Sequence, residues 1–168
     1  MSKGKSSILG YIFLGLAVVT LVLAIVGMCI PNVTGTIEIL GHKETYNLKL
    51  FDDEWETIKK MYEASPTLSI VGFVCEIVGT AGLVAYLALK LFANKNIKIL
   101  GLLSGIVALV GGVLAFVGAA VVAGKLNTSN GKTDNMQIYD PAVGAILGLV
   151  SGIVAVIVGG LSSSKKFN

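Results

Sequence analysis

Apolar residues gather in four long runs, residues 8 to 30, 68 to 92, 97 to 123 and 141 to 162, separated by polar stretches. Each run is longer than the roughly 20 residues that cross a bilayer as a helix. Their only charged side chains are Glu76, Lys90 near the end of the second run, and Lys98 at the start of the third. The pattern predicts four transmembrane helices joined by a first loop, a short connection at 93 to 96, and a second loop at 124 to 140, all in one tetraspan domain covering 1 to 168.

The first loop changes period along its length. Val33, Ile37 and Ile39 alternate with Thr34, Thr36 and Glu38, and Tyr46, Leu48 and Leu50 alternate with Thr45, Asn47 and Lys49. Alternation of this kind reads as two strands, here a hairpin over 33 to 50 turning at Gly41-His42-Lys43. Phe51, Trp55, Ile58 and Tyr62 then recur at helical spacing, with Asp52, Asp53, Glu54 and Glu56 ahead of Lys59 and Lys60. These charges complement a helix dipole, so a short amphipathic helix is expected over 52 to 64. Ser65-Pro66 and Asp140-Pro141 each resemble a capping side chain followed by Pro in the first helical turn. The second loop, with Asn127, Ser129, Asn130, Gly131 and Asn135, reads as mostly turn.

Small residues mark the faces on which the spans should pack. Gly101, Gly105, Ala108, Gly112, Ala115 and Ala119 repeat in steps of four and three in the third span, as do Gly144, Gly148, Ser151, Ala155 and Gly159 in the fourth. Such stripes let helix backbones approach closely within a membrane. In the second span Ser69, Gly72, Glu76 and Gly79 share one face, which turns Glu76 into the bundle and leaves Ile70, Phe73 and Ile77 toward lipid.

Composition narrows the function classes. The 168 residues include 21 Gly, two Cys, one His and no Arg, and mean hydropathy is +0.83. With this much sequence committed to spans, no loop is large enough for a soluble catalytic domain, so an enzyme is not expected. No pattern calls for a cofactor, a metal or nucleic acid; the partners expected are the lipid bilayer and another protein, either a second copy or a different membrane or extracellular protein. Cys29 and Cys75 fall at different depths and are expected to stay unbridged.

Charge sets the orientation. Lys3, Lys5, Lys90, Lys95, Lys98, Lys165 and Lys166 flank one side of the spans with no acid among them, whereas 31 to 67 and 124 to 140 hold six Lys and nine acids. The short-loop Lys bias places both termini and the middle connection in the cytoplasm and the two acidic loops outside. The first span is read as a retained signal anchor, because its apolar run is too long for a signal-peptide core. A cell membrane is the expected location. In a eukaryotic host, Asn32-Val33-Thr34 and Asn127-Thr128-Ser129 are glycosylation patterns, and Lys165-Lys166-Phe167-Asn168 is a dilysine-type ending consistent with an ER–Golgi membrane.

Two readings of the chemistry stand side by side. Glu76 is an ionisable residue in mid-membrane, with Thr20, Thr80 and Ser151 at reachable depths and no Lys or Arg to pair with it there. It is either a neutral hydrogen-bonding strut between helices or a proton or cation site of a small transporter, channel or accessory subunit. The loop residues Ile37, Ile39, Tyr46, Leu48, Trp55 and Tyr62 are instead candidates for contact with a partner protein, aromatic residues being frequent interface anchors.

The order of elements resembles the claudin-like tetraspan superfamily: Ile30-Pro31 leaving the first span, strands and a short helix, a brief basic connection with Lys98 before a Gly-rich third span, and Tyr139-Asp140-Pro141 before the fourth. The likeness is one of layout. Trp55 is the only Trp in the first loop, which holds neither a Trp-x-Leu-Trp sequence nor a Cys pair. What the resemblance implies is a left-handed four-helix bundle carrying an extracellular sheet that contacts neighbours.

Overall fold

The structure is a computed structural model that describes residues 3–39, 42–53, 64–93, 95, 97–130 and 137–164. The elements are α1 (Lys3–Cys29), β1 (Val33–Ile39), β2 (His42–Leu48), α2 (Ala64–Phe92), α3 (Lys98–Asn130), β3 (Gln137–Pro141) and α4 (Val143–Ser163). Four helices are long and apolar enough to cross a membrane, over Ile8–Cys29, Pro66–Phe92, Lys98–Thr128 and Val143–Ser163, which fits a multi-pass membrane protein. The expected helix over 52 to 64, with Trp55 and Tyr62, falls largely outside the described residues, as does the dilysine ending.

The helices form a ring in which α1 packs on α2, α2 on α3, α3 on α4 and α4 on α1. Gly, Ala and Ser line the helix contacts, with Phe73, Leu83, Tyr86 and Leu87 among the few large side chains inside, while many Val, Ile and Leu face outward. Gly72, Gly79, Gly105, Gly112, Gly148 and Gly159 are all buried, and Val18, Val22, Val74, Val78, Leu103, Val110, Ile153 and Ile157 all point out. Lipid solvates large side chains as well as a protein interior does, so helix association in a membrane depends on backbone proximity. That proximity is visible at Gly72 and Gly79, where an added Cβ would run into the backbones of Ala115 and Ala108 on α3. On the other side of α3, a Cβ at Gly112 would lie 2.5 Å from the Gly148 carbonyl of α4, and one at Gly159 would lie 2.6 Å from the Gly101 carbonyl. Gly27 and Gly144 close α1 against α4 in the same manner.

The face assigned to α2 needs one correction. Phe73 is fully buried rather than turned to lipid, packing with Ala115, Ala119 and Ala145, while Ile70 and Ile77 are half-buried and Val71, Val74 and Val78 face out. The small residues opposite Phe73 leave a space that an aromatic ring fills, and periodicity alone does not report such a space.

At one end of the bundle lies a three-stranded sheet in the order β2-β1-β3. The hairpin is antiparallel, pairing Val33 with Leu48 through to Ile39 with His42. His42 therefore already belongs to β2, and the connection is shorter than the expected Gly41-His42-Lys43 turn. The third strand was not foreseen. Residues 137 to 140, in the loop expected to be mostly turn, and Pro141, expected to open the fourth span, pair antiparallel with β1, from Val33 opposite Pro141 to Ile37 opposite Gln137. Helix α3 also runs on to Asn130, well past the apolar run that ends at 123. Asp140-Pro141 consequently does not cap α4: Pro141 ends the strand, and Ala142 occupies the N-cap position without a side-chain bond. Ser65 likewise falls inside α2, which begins at Ala64, leaving Pro66 in the first turn, where its missing N–H costs no helical bond.

Candidate functional site

Two places in the molecule carry the candidate residues: a polar centre inside the bundle and the sheet at its end.

The polar centre is built around Glu76, which is fully buried. Its backbone lies against Gly111, where an added Cβ would strike the Glu76 amide, so α3 holds this turn of α2 close. The carboxyl reaches across to α4. Ser151 donates its hydroxyl to Oε1, while Oε2 has no hydrogen-bond partner among the described residues. Oε2 sits over Gly148, where a Cβ would come within 3.0 Å of it and 2.9 Å of the Phe73 ring. Gly148 thus provides the room that the carboxyl occupies. Of the three expected partners only Ser151 touches the acid group. Thr20 donates to the Ala17 carbonyl of its own helix at 2.8 Å, and Thr80 donates to the backbone carbonyls of Glu76 and Ile77 at 2.9 and 3.1 Å. These hydroxyls satisfy themselves locally, as Thr and Ser do inside helices. Among the described residues no cluster of three or more His, Cys, Asp or Glu is placed to hold a metal.

The helix-packing glycines are all buried: Gly101, Gly105 and Gly112 on α3, and Gly144, Gly148 and Gly159 on α4. Gly101, like Gly148, accommodates side chains, since a Cβ there would meet the Tyr86 ring and Ser163 Oγ rather than a helix backbone. The Tyr86 hydroxyl and the Lys90 ammonium both donate to the Ser162 carbonyl, at 3.2 and 2.6 Å. They satisfy an orphan carbonyl in the last turn of α4, where a cation also complements the helix dipole.

The sheet is joined to the bundle by its base. Val33, Leu48 and Leu50 are buried in one cluster with Phe73, Ala115, Ala119, Val122, Ala123 and Ala145, against which Tyr139 and Leu126 also pack. Away from this row β2 emerges: its residues from His42 to Asn47 are all exposed, and only Leu48 is buried. Of the candidate contact residues, Tyr46 is 47% exposed while Leu48 belongs to the core. Ile37 and Ile39 lie in β1, the central strand. A backbone change at either would therefore break the sheet itself rather than test a free edge. Gly35 stands between Tyr46 and Tyr139 in the register, and the Tyr139 ring covers it where a Cβ would be. Tyr46 donates its hydroxyl to Glu44 Oε2 at 3.0 Å, and that carboxylate raises the phenol pKa above its usual 10.0.

Two asparagines that the sequence offered as glycan acceptors have other work. Asn32 is fully buried at the junction of three elements. Its N–H donates to the Leu48 carbonyl at 2.9 Å, its carbonyl accepts from Ala142 at 2.8 Å, and Nδ2 donates to the carbonyls of Gly27 and Ile30 at 3.2 and 2.9 Å. In the folded chain this amide is not a surface acceptor. Asn127, on the extension of α3, grips Tyr139 at both backbone groups: Tyr139 N–H donates to Oδ1 at 2.7 Å, and Nδ2 donates to the Tyr139 carbonyl at 2.9 Å. Neither role was read from sequence. The one available hint was that both Asn stand at the ends of apolar runs, where an amide can satisfy backbone groups that leave a helix. Cys29 and Cys75 are free thiols, as expected.

No family model matches the chain, and no curated protein matches it.

Proposed function

We propose that this chain is a non-enzymatic tetraspan membrane protein whose sheet module mediates assembly with copies of itself or with another membrane or extracellular protein. The observation that carries the reading is the construction of the sheet. It draws strands from both loops and fixes their base in the bundle core through Val33, Leu48 and Tyr139. A surface held this firmly to its bundle pre-pays the ordering that a flexible loop would lose on binding. In this reading the bundle is left-handed, the Lys-rich ends are cytoplasmic, and the sheet is displayed outside a cell membrane, supported by the Lys bias and by the layout shared with claudin-like proteins. Gentle extraction into native nanodiscs followed by mass measurement tests it: a defined oligomer or a co-purifying protein is expected, and a bare monomer overturns it.

A second reading rests on Glu76, whose Oε2 is buried without a partner among the described residues. Here the acid is a proton or cation site of a small transporter, channel or accessory subunit. Reconstituted Glu76→Gln protein would then insert normally and lose ion-coupled flux; flux equal to that of the unmodified chain, or none in either, removes this reading.

A further inference from the structure

The two outer edges of the sheet are not equivalent. The β3 edge is blocked at its centre. Asn127 occupies both backbone groups of Tyr139, as a neighbouring strand would, and Pro141 has no N–H to offer. The same contact fixes the phase of the whole ladder. Because Tyr139 turns its N–H and C=O away from β1, Gly35 opposite it turns its own toward Tyr46 of β2. Alternation then aims the backbone groups of Glu44 and Tyr46 into the sheet and those of Thr45 and Asn47 outward. Thr45 and Asn47 are exposed, and among the described residues no strand pairs with their edge.

We propose that this edge of β2 receives the β2 strand of a second copy, antiparallel and centred on Thr45. The inference rests on the assembly reading and names its surface and partner. It is carried by the self-complementarity of His42–Leu48. About Thr45, Thr45 faces Thr45, Glu44 faces Tyr46, and Lys43 faces Asn47, so no like charges stand opposite each other. The Glu44 carboxylate and Tyr46 hydroxyl already form a hydrogen bond within one strand, and across the axis they supply the same donor and acceptor. The neighbouring two-fold registers that keep the backbone phase are worse. Centring on Glu44 sets that carboxylate against itself, and centring on Tyr46 shortens the overlap and sets Lys43 against Lys49. A two-fold contact of this kind is isologous and stops at a dimer, because the other edge is blocked at its centre by Asn127.

The test uses the full chain in nanodiscs, with Cys29→Ser and Cys75→Ala removing the native thiols. Thr45→Cys is expected to form a covalent dimer on mild oxidation, whereas Ile138→Cys, at a side chain 56% exposed on the blocked strand, is not. In the native background, Thr45→Pro removes one outward N–H and should convert dimer to monomer with unchanged helical circular dichroism. Tyr46→Pro removes an inward N–H and should disrupt the sheet as well. Equal cross-linking of the two cysteine variants, or none at position 45 in a protein that is still oligomeric, overturns the β2 edge while leaving the assembly reading intact. A monomeric unmodified chain overturns both.

Discussion

Ser151 on α4 donates its hydroxyl to the carboxyl of Glu76 on α2, joining two helices that otherwise touch little across the bundle diagonal. A polar pair at this position acts as a register pin, since sliding either helix by one residue would strand a carboxyl among glycines and an aromatic ring.

Removing the donor should therefore be felt as lost stability. Ser151→Ala is expected to destabilise the bundle by about 0.6 to 1.7 kcal/mol, the scale of interhelical hydrogen bonds in membranes. Glu76→Gln keeps an oxygen acceptor and should cost less than Glu76→Leu, which leaves the Ser151 hydroxyl without its partner. Thermal unfolding in one detergent, compared across the three variants, checks the order; a Gln variant as unstable as the Leu variant would contradict it.

Glycine substitutions should divide sharply by position. At Gly72 a Cβ would strike the Ala115 backbone, which cannot rotate aside, whereas Gly15 has nothing within 4 Å of an added Cβ. Gly72→Ala is expected to lose about 1 to 3 kcal/mol through overpacking. Gly15→Ala should be neutral or gain up to about 1 kcal/mol from helix propensity. Unfolding midpoints of the two proteins measured side by side decide the matter.

The clasp between Asn127 and Tyr139 should control the third strand alone. Asn127→Ala forfeits both hydrogen bonds and is expected to cost about 1 to 3 kcal/mol. Amide exchange should quicken over Gln137–Pro141, with the four spans unaffected. Asn127→Asp keeps the acceptor for the Tyr139 N–H but faces its carbonyl with a second acceptor, so protection there should remain below that of the native chain.

The contact between Tyr46 and Glu44 predicts a titration shift outside the membrane. The carboxylate accepts the phenol proton and opposes a second negative charge, so Tyr46 should ionise above the ordinary 10.0. Glu44→Gln removes the charge and should bring ionisation back down toward that value. Ultraviolet difference spectra of the two proteins between pH 9 and 12, roughly the range in which phenols titrate, report the sign of the change.

The sequence alone determined what one-dimensional patterns can hold. Runs of apolar residues longer than the bilayer thickness dictated four spanning helices, and alternation in 33 to 39 and 45 to 50 pointed to a hairpin. The stripe of Ser69, Gly72, Glu76 and Gly79 turned Glu76 inward, and depth along the helices brought Ser151 among its possible partners. Each of these follows from a period or a length, and both are local quantities. Tertiary structure decided the rest. Gln137-Ile138-Tyr139-Asp140-Pro141 is too short and too mixed to announce a strand, and it becomes one because β1 offers an edge and Asn127 covers the other side. Phe73 repeats like a lipid-facing residue yet is buried, because small residues on neighbouring helices leave space for its ring. Thr20 and Thr80 lie at suitable depths but spend their hydroxyls on nearby backbone carbonyls, a competition that spacing does not reveal. Periodicity chooses the face a residue presents; which neighbour meets that face, and which hydrogen bonds are still available to it, depend on contacts between segments far apart in the chain.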